Sequence, residues 1–142
     1  MRLVRFRFDG KEQFGALKAD TVVPLAGHTF DAALTGNASG DPIPLKQVSL
    51  LAPVPKPGKI LGIGVNYAAH AAESVSFIDT KKPDVQKWFN KQVTAVNGPY
   101  ADVHLPKVSE QLDYEGELVV IIGKRGRHVP RERAFEIVAG VT

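Results

Sequence analysis

The apolar run Leu118-Val119-Val120-Ile121-Ile122 constrains this chain more than any other segment; it closes at Gly123 and is entered through Asp113-Tyr114-Glu115-Gly116-Glu117. Five apolar residues rich in β-branched side chains and stopped by a glycine read as a largely buried strand. Strand side chains alternate between faces, so continuing the strand back through Gly116 puts Glu115 and Glu117 on one face. Two carboxylates side by side at the edge of a core repel each other and lose hydration. A hard divalent cation with oxygen ligands compensates both costs. A frayed strand end with solvated acids is the simpler alternative.

A second apolar run, Lys59-Ile60-Leu61-Gly62-Ile63-Gly64-Val65, carries glycines at alternate positions and leads into Asn66-Tyr67-Ala68-Ala69-His70-Ala71-Ala72-Glu73. Asn66 suits a helix N-cap and the alanines favour helix. His70 and Glu73, three apart, then share a helix face. A carboxylate beside an imidazole fixes its tautomer and raises its basicity, which is what a general base needs. A surface hydrogen bond between the two is the alternative.

Taken together, these segments resemble the fumarylacetoacetate hydrolase family. The resemblance rests on Gly62 to Gly64, Asn66-Tyr67-x-x-His70-x-x-Glu73, Phe89-Asn90-Lys91, and Tyr114-Glu115-Gly116-Glu117-Leu118 followed by a strand ending Gly123-Lys124. Ala134 to Thr142 looks like the family's helix and the turn after it. The resemblance implies an α+β, β-rich fold, in which a small N-terminal β meander precedes part of the mixed β-sandwich, or roll, of the catalytic domain. It implies metal ligation by Glu115 and Glu117 and catalytic roles for His70, Glu73 and Lys91, all opening into one cavity. Lys91 would face the site and meet a carboxylate or enolate oxygen; a surface lysine at a strand edge is the other reading. The family's third acidic ligand belongs to a segment expected beyond Thr142, so the chain is expected to be a fragment of a longer protein.

An all-oxygen site favours Mg²⁺, or Mn²⁺ or Ca²⁺, over zinc. The expected substrate is a small oxo acid, and the expected reaction is hydrolysis of a C–C bond in a 2-oxo or 1,3-diketo acid of the acylpyruvate or fumarylacetoacetate type. The alternatives are oxo-acid decarboxylation, isomerisation or hydration in aromatic catabolism on the same site, or a non-catalytic fragment.

The organisation reads as a small β-rich domain over 1–52, a stiff linker over 53–58 (Pro53, Pro55, Pro57, Gly58) and the beginning of a catalytic domain over 59–142. In the first, Val4, Phe6 and Phe8 alternate with Arg5 and Arg7, and Asp9-Gly10 signals a hairpin. Phe14 to Leu17 and Thr21 to Leu25 continue the meander. Thr29 to Leu34 reads as a short helix closed by Gly36, and Asn37 to Pro44 as loop. Asp79 to Lys87 reads as a polar loop, and Lys91 lies on a strand after Trp88 and Phe89. Pro130 opens a helix carrying Ala134, Ile137 and Val138, with Gly140 as its cap.

Composition excludes several classes. With 44% hydrophobic and 23% charged residues, global disorder is excluded. The net charge of +3 comes from scattered residues. The densest basic cluster, Lys124-Arg125-Gly126-Arg127-His128, lacks the interleaved aromatics of a nucleic-acid surface and reads as a solvated turn. Asp102 and His104 lie in a loop and read as solvent-exposed rather than as a metal pair. Zero cysteines exclude disulfides and thiolate metal sites and suit a cytoplasmic location. No run reaches membrane-spanning length, so no membrane partner is expected. The strands at Ile60 to Val65 and Val119 to Ile122 read as buried on both faces with too little apolar sequence left to cover them. Association of the chain as a dimer or larger homo-oligomer is therefore expected.

Overall fold

The computed structural model describes residues 1–69, 72 and 85–142. The chain forms two compact units, Met1–Pro53 with Pro99–Thr142, and Val54–Gly98. Most of the regular structure among the described residues is strand, as the β-rich α+β reading expects.

Alternation builds the N-terminal meander. Strands β1 (Leu3–Phe8), β2 (Lys11–Lys18) and β3 (Thr21–Pro24) pair antiparallel in sequence. The short strands β4 (Ile43–Pro44) and β5 (Ser49–Leu51) extend the two edges, giving the order β4-β3-β2-β1-β5. Phe8 pairs with Lys11, so Asp9-Gly10 is a two-residue turn. Both residues have positive φ, 47° and 74°, the geometry that makes Asp-Gly a strong hairpin former. The segment read as loop over Asn37 to Pro44 instead contributes β4 and an isolated bridge from Ala38 to Leu25.

The core sits on this sheet. Phe6, Val22 and Ala33 are fully buried, with Phe14, Ala16 and Leu25 nearly so. A Cβ at Gly15 would fall 2.5 Å from Val22 Cγ1 and 2.9 Å from Phe6 Cε1, so a side chain there would displace the two largest of the fully buried residues. Truncating a buried phenylalanine such as Phe6 to alanine costs about 3–5 kcal/mol. Helix α1 (Phe30–Leu34) lies by β2, the Phe30 and Phe14 rings meeting edge to face at 6.4 Å. The Thr29 side chain accepts a hydrogen bond from the Ala32 N–H and caps the helix; Gly36 N–H closes the other end on the Ala33 carbonyl.

The remaining strands form two-stranded ladders. β6 (Ile60–Gly64) pairs with β7 (Lys87–Lys91), and β8 (Val120–Ile122) with β9 (Val138–Val141). Here three expectations are corrected. Neither ladder is buried on both faces: Leu61 is 51% exposed, Val120 49% and Ile122 58%. Two strands alone leave both faces uncovered. Pro130 does not open an α-helix; it precedes a 3-10 turn over Arg131–Ile137, and Gly140 lies inside β9 rather than capping a helix. The β-branched Val138 and Val141 pair with Ile122 and Val120, and that pairing overrides the helical spacing. Lys87, read as loop, begins β7.

Two outcomes are expected of this arrangement. Glu12 accepts hydrogen bonds from Arg7, at 2.6 Å, and from Arg5, across the face of β1 and β2. Chiefly through the Arg7 bond, its carboxyl is held below the ordinary value of 4.5. A carboxyl depressed on folding contributes stability that is present above pH 4.5 and lost as pH falls through the folded value. Glu12→Gln should flatten that acid-side decline in denaturation curves by slightly lowering stability at neutral pH, the variant and wild type converging at acid pH. The exposed apolar residues of the two ladders should also drive association, so sedimentation at micromolar concentration should show dimers or larger species; a compact monomer would refute this.

Candidate functional site

β6 and β7 place the first group of candidate residues. Their register, Ile60↔Lys91, Gly62↔Phe89 and Gly64↔Lys87, puts the alternate glycines opposite Phe89 and Lys87. The ring of Phe89 lies directly on Gly62: a Cβ at that position would fall 2.6 Å from Cε2 and 2.7 Å from Cε1. The Lys91 Nζ stands 5.9 Å from the centroid of the same ring, within the range of a cation–π contact. Lys91 and Lys59 also line an open recess of about 410 Å³ at the end of the ladder. Lys91 therefore lies on a strand, as read, and is exposed.

β6 ends at Gly64, and Val65 comes next with φ of 56°. A β-branched residue in the left-handed region is strained, and such strain concentrates where a chain must change direction at a functional segment. Asn66 and the motif it opens come after it. Ala68, Ala69 and Ala72 are helical, in keeping with the alanine-rich reading. His70 and Glu73 lie outside the described residues.

Glu115 and Glu117 are exposed and precede β8, which begins only at Val120. This corrects the expectation that they sit on the strand itself. The ladder gains one further pair, Val119 and Thr142 exchanging hydrogen bonds at 2.8 and 3.0 Å. Residues 112–119 form no strand. Asp102 and His104 are exposed in a loop, as is most of the basic stretch from Lys124 to His128. Beyond it Arg133 grips Glu136 through Nε and Nη2 at 2.8–3.1 Å, which raises the guanidinium and lowers the carboxyl from their ordinary values.

Glu115 and Glu117 fit a hard cation by donor chemistry, since both are carboxylates and solvent reaches both. Among the described residues no group of three or more His, Asp or Glu side chains is gathered. Mg²⁺ is usually held by one or two carboxylates, with water and substrate oxygens completing its shell, so the pair fits as the protein's share of such a site.

Residues 59–142 match the family described as fumarylacetoacetate (FAA) hydrolase, C-terminal. The chain belongs to the fumarylacetoacetate hydrolase family. Residues 1–53 match a second family, described as Rv2993c-like, N-terminal. Human oxaloacetate tautomerase FAHD2A, mitochondrial, is 39% identical over 100 residues, covering 70% of this chain and 31% of that protein. The structure of 5-carboxymethyl-2-hydroxymuconate delta-isomerase from Mycobacterium smegmatis is 32% identical with a TM-score of 0.80, covering 99% of this chain and 52% of that one. That of 2-hydroxyhepta-2,4-diene-1,7-dioate isomerase from Mycobacterium marinum is 27% identical with a TM-score of 0.80, covering 99% and 52%. The chain thus spans about half the length of these solved relatives and less of the tautomerase. No helix among the described residues is long and apolar enough to cross a membrane.

Sequence reading missed two features of the site region. The seating of Phe89 on Gly62 was signalled only by an alternate-glycine strand and a later aromatic, whose register is set by pairing. The turn at Val65 left no signal, since valine is the wrong residue for it. With no group of three donors gathered among the described residues, Mg²⁺ binding to this chain should be weak by calorimetry, on the order of millimolar or weaker. Glu115→Ala or Glu117→Ala should remove it without lowering the melting temperature. Tight binding by the wild-type chain would show that another ligand is present.

Proposed function

We propose that the protein bearing this chain is a divalent-metal-dependent enzyme acting at the carbon next to the carbonyl of a 2-oxo acid. The family match over residues 59–142, which contains all five candidate residues, carries this reading. In it, Glu115 and Glu117 hold the cation, with Mg²⁺ first and Mn²⁺ or Ca²⁺ as alternatives. The cation supplies positive charge that draws the 2-oxo and carboxylate oxygens and offsets the charge of an enolate. His70, oriented by Glu73, takes or returns a proton at carbon. Lys91 meets a carboxylate or enolate oxygen of the substrate.

Sequence reasoning put C–C bond hydrolysis first. The names of the three relatives described above favour the alternative reading, isomerisation: one is an oxaloacetate tautomerase, one a 5-carboxymethyl-2-hydroxymuconate delta-isomerase and one a 2-hydroxyhepta-2,4-diene-1,7-dioate isomerase. In tautomerisation the proton removed from one atom is returned to another, so no atom is gained or lost. Hydrolysis adds a water, whose oxygen joins the carbonyl carbon as the C–C bond breaks and the departing carbon takes the proton. Both begin with the same donors and differ in whether water attacks.

The experiment tracks the ultraviolet band of enol-oxaloacetate with and without EDTA, and an acylpyruvate in parallel. Loss of the enol band that needs Mg²⁺ and releases no fragments supports tautomerisation. Cleavage of the acylpyruvate supports hydrolysis. Activity on neither would refute the proposal. His70→Ala should lower kcat by about 10²- to 10⁴-fold, and Glu117→Ala should abolish the Mg²⁺-dependent rate.

A further inference from the structure

We propose that Phe89, seated on Gly62, is a positioning residue that holds the Lys91 ammonium in place; the proposal deepens, and for its meaning in turnover rests on, the reading of Lys91 as the cation that meets substrate. Phe89 and Lys91 are two apart on β7 and so share a face, and the register sets Gly62 and Ile60 opposite them on β6. Leu61, Ile63, Trp88 and Asn90 alternate onto the other face. A glycine opposite an aromatic leaves bare backbone, and the ring lies down to cover it.

The ring's attitude depends on that missing side chain. With Cε1 and Cε2 within 2.7 Å of where a Cβ at position 62 would stand, an alanine there would lift the ring off the strand. A reclined ring offers its face to a cation two residues on, and Lys91 Nζ stands 5.9 Å from its centroid. An exposed lysine side chain has many rotamers open to it. The π face favours those that bring the ammonium over the ring. Gly62, Phe89 and Lys91 thus form a chain of dependence in which a residue without a side chain sets where a charge is found.

A purely structural role for Phe89, covering glycine backbone with apolar surface, makes a different prediction. Leucine would serve it nearly as well as tyrosine. Positioning needs an aromatic face, so tyrosine should replace phenylalanine and leucine should not.

The test is NMR of the chain with ¹³C-labelled lysine, the Lys91 signals assigned through Lys91→Arg. The protons on the Lys91 side chain should be displaced upfield by the ring in wild type and in Phe89→Tyr. The displacement should vanish in Phe89→Leu and in Gly62→Ala. An unchanged displacement in Phe89→Leu, or none in wild type, overturns the proposal. Should Gly62→Ala fail to fold, the leucine and tyrosine variants decide it alone. In turnover of a 2-oxo acid, Phe89→Leu should raise KM about two- to fivefold with kcat little changed, and Phe89→Tyr should restore it. Lys91→Met separates the two readings. If it leaves KM unchanged while the NMR pattern holds, Lys91 loses its substrate role and the positioning stands; if it raises KM but the ring displacement is absent, the positioning fails alone.

Discussion

Backbone pairing between neighbouring strands governs this structure more than any side-chain contact does. A strand exists only where another backbone accepts its N–H and C=O groups, and the alternative of leaving them in an apolar setting is costly. The meander meets this requirement within 53 residues: β1, β2 and β3 pair through short turns, and β4 and β5 return to pair with β3 and β1. It also supplies the buried side chains Phe6, Phe14 and Val22 that make pairing worth its entropy. β8 meets it only as far as its register with β9 extends. The strand begins at Val120, within the β-branched run, and not at Tyr114, since Asp113, Glu115, Gly116 and Glu117 are poorer strand formers.

That distinction explains what was legible. Local signals read well: Asp9-Gly10 as a hairpin turn, Thr29 to Leu34 as a short helix, the alternation of Val4, Phe6 and Phe8. Each depends on neighbours in sequence. The errors lie where a residue's state is decided by a distant partner. Val138 and Val141 sit at helical spacing from Ala134, but β-branched side chains opposite Val120 and Ile122 pair better than they wind. Burial of the apolar runs was misjudged for the same reason, because hydrophobicity shows what a strand would prefer to touch and not whether anything is there.

The site was legible in its chemistry and less so in its geometry. The Glu115-Gly116-Glu117 spacing sets two carboxylates close in sequence, and under the proposed function that donor type favours a hard cation. Its placement on a strand face, by contrast, borrowed the extent of β8 and failed with it. Lys91 was placed on a strand correctly because Trp88 and Phe89 mark β7 locally. Its relation to Gly62 depends on a register between residues nearly thirty positions apart, and alternation alone does not fix which glycine lies under which ring.

Under the proposed function, one set of donors serves several reactions because they share a first demand. Removing a proton from, or breaking a bond at, the carbon beside a carbonyl leaves charge on the carbonyl oxygen, and stabilising that charge lowers the barrier in either case. Groups that stabilise that charge are indifferent to the fate of the enolate. The difference between tautomerase and hydrolase is then the treatment of water: a hydrolase must admit one molecule to the carbonyl carbon, and a tautomerase must keep it away while the proton moves. Specificity of reaction would accordingly reside in side chains that control access around His70 and Lys91, and not in Glu115 or Glu117. Substitutions at the carboxylates should abolish both activities together, whereas substitutions that open or close the approach to His70 should exchange one for the other.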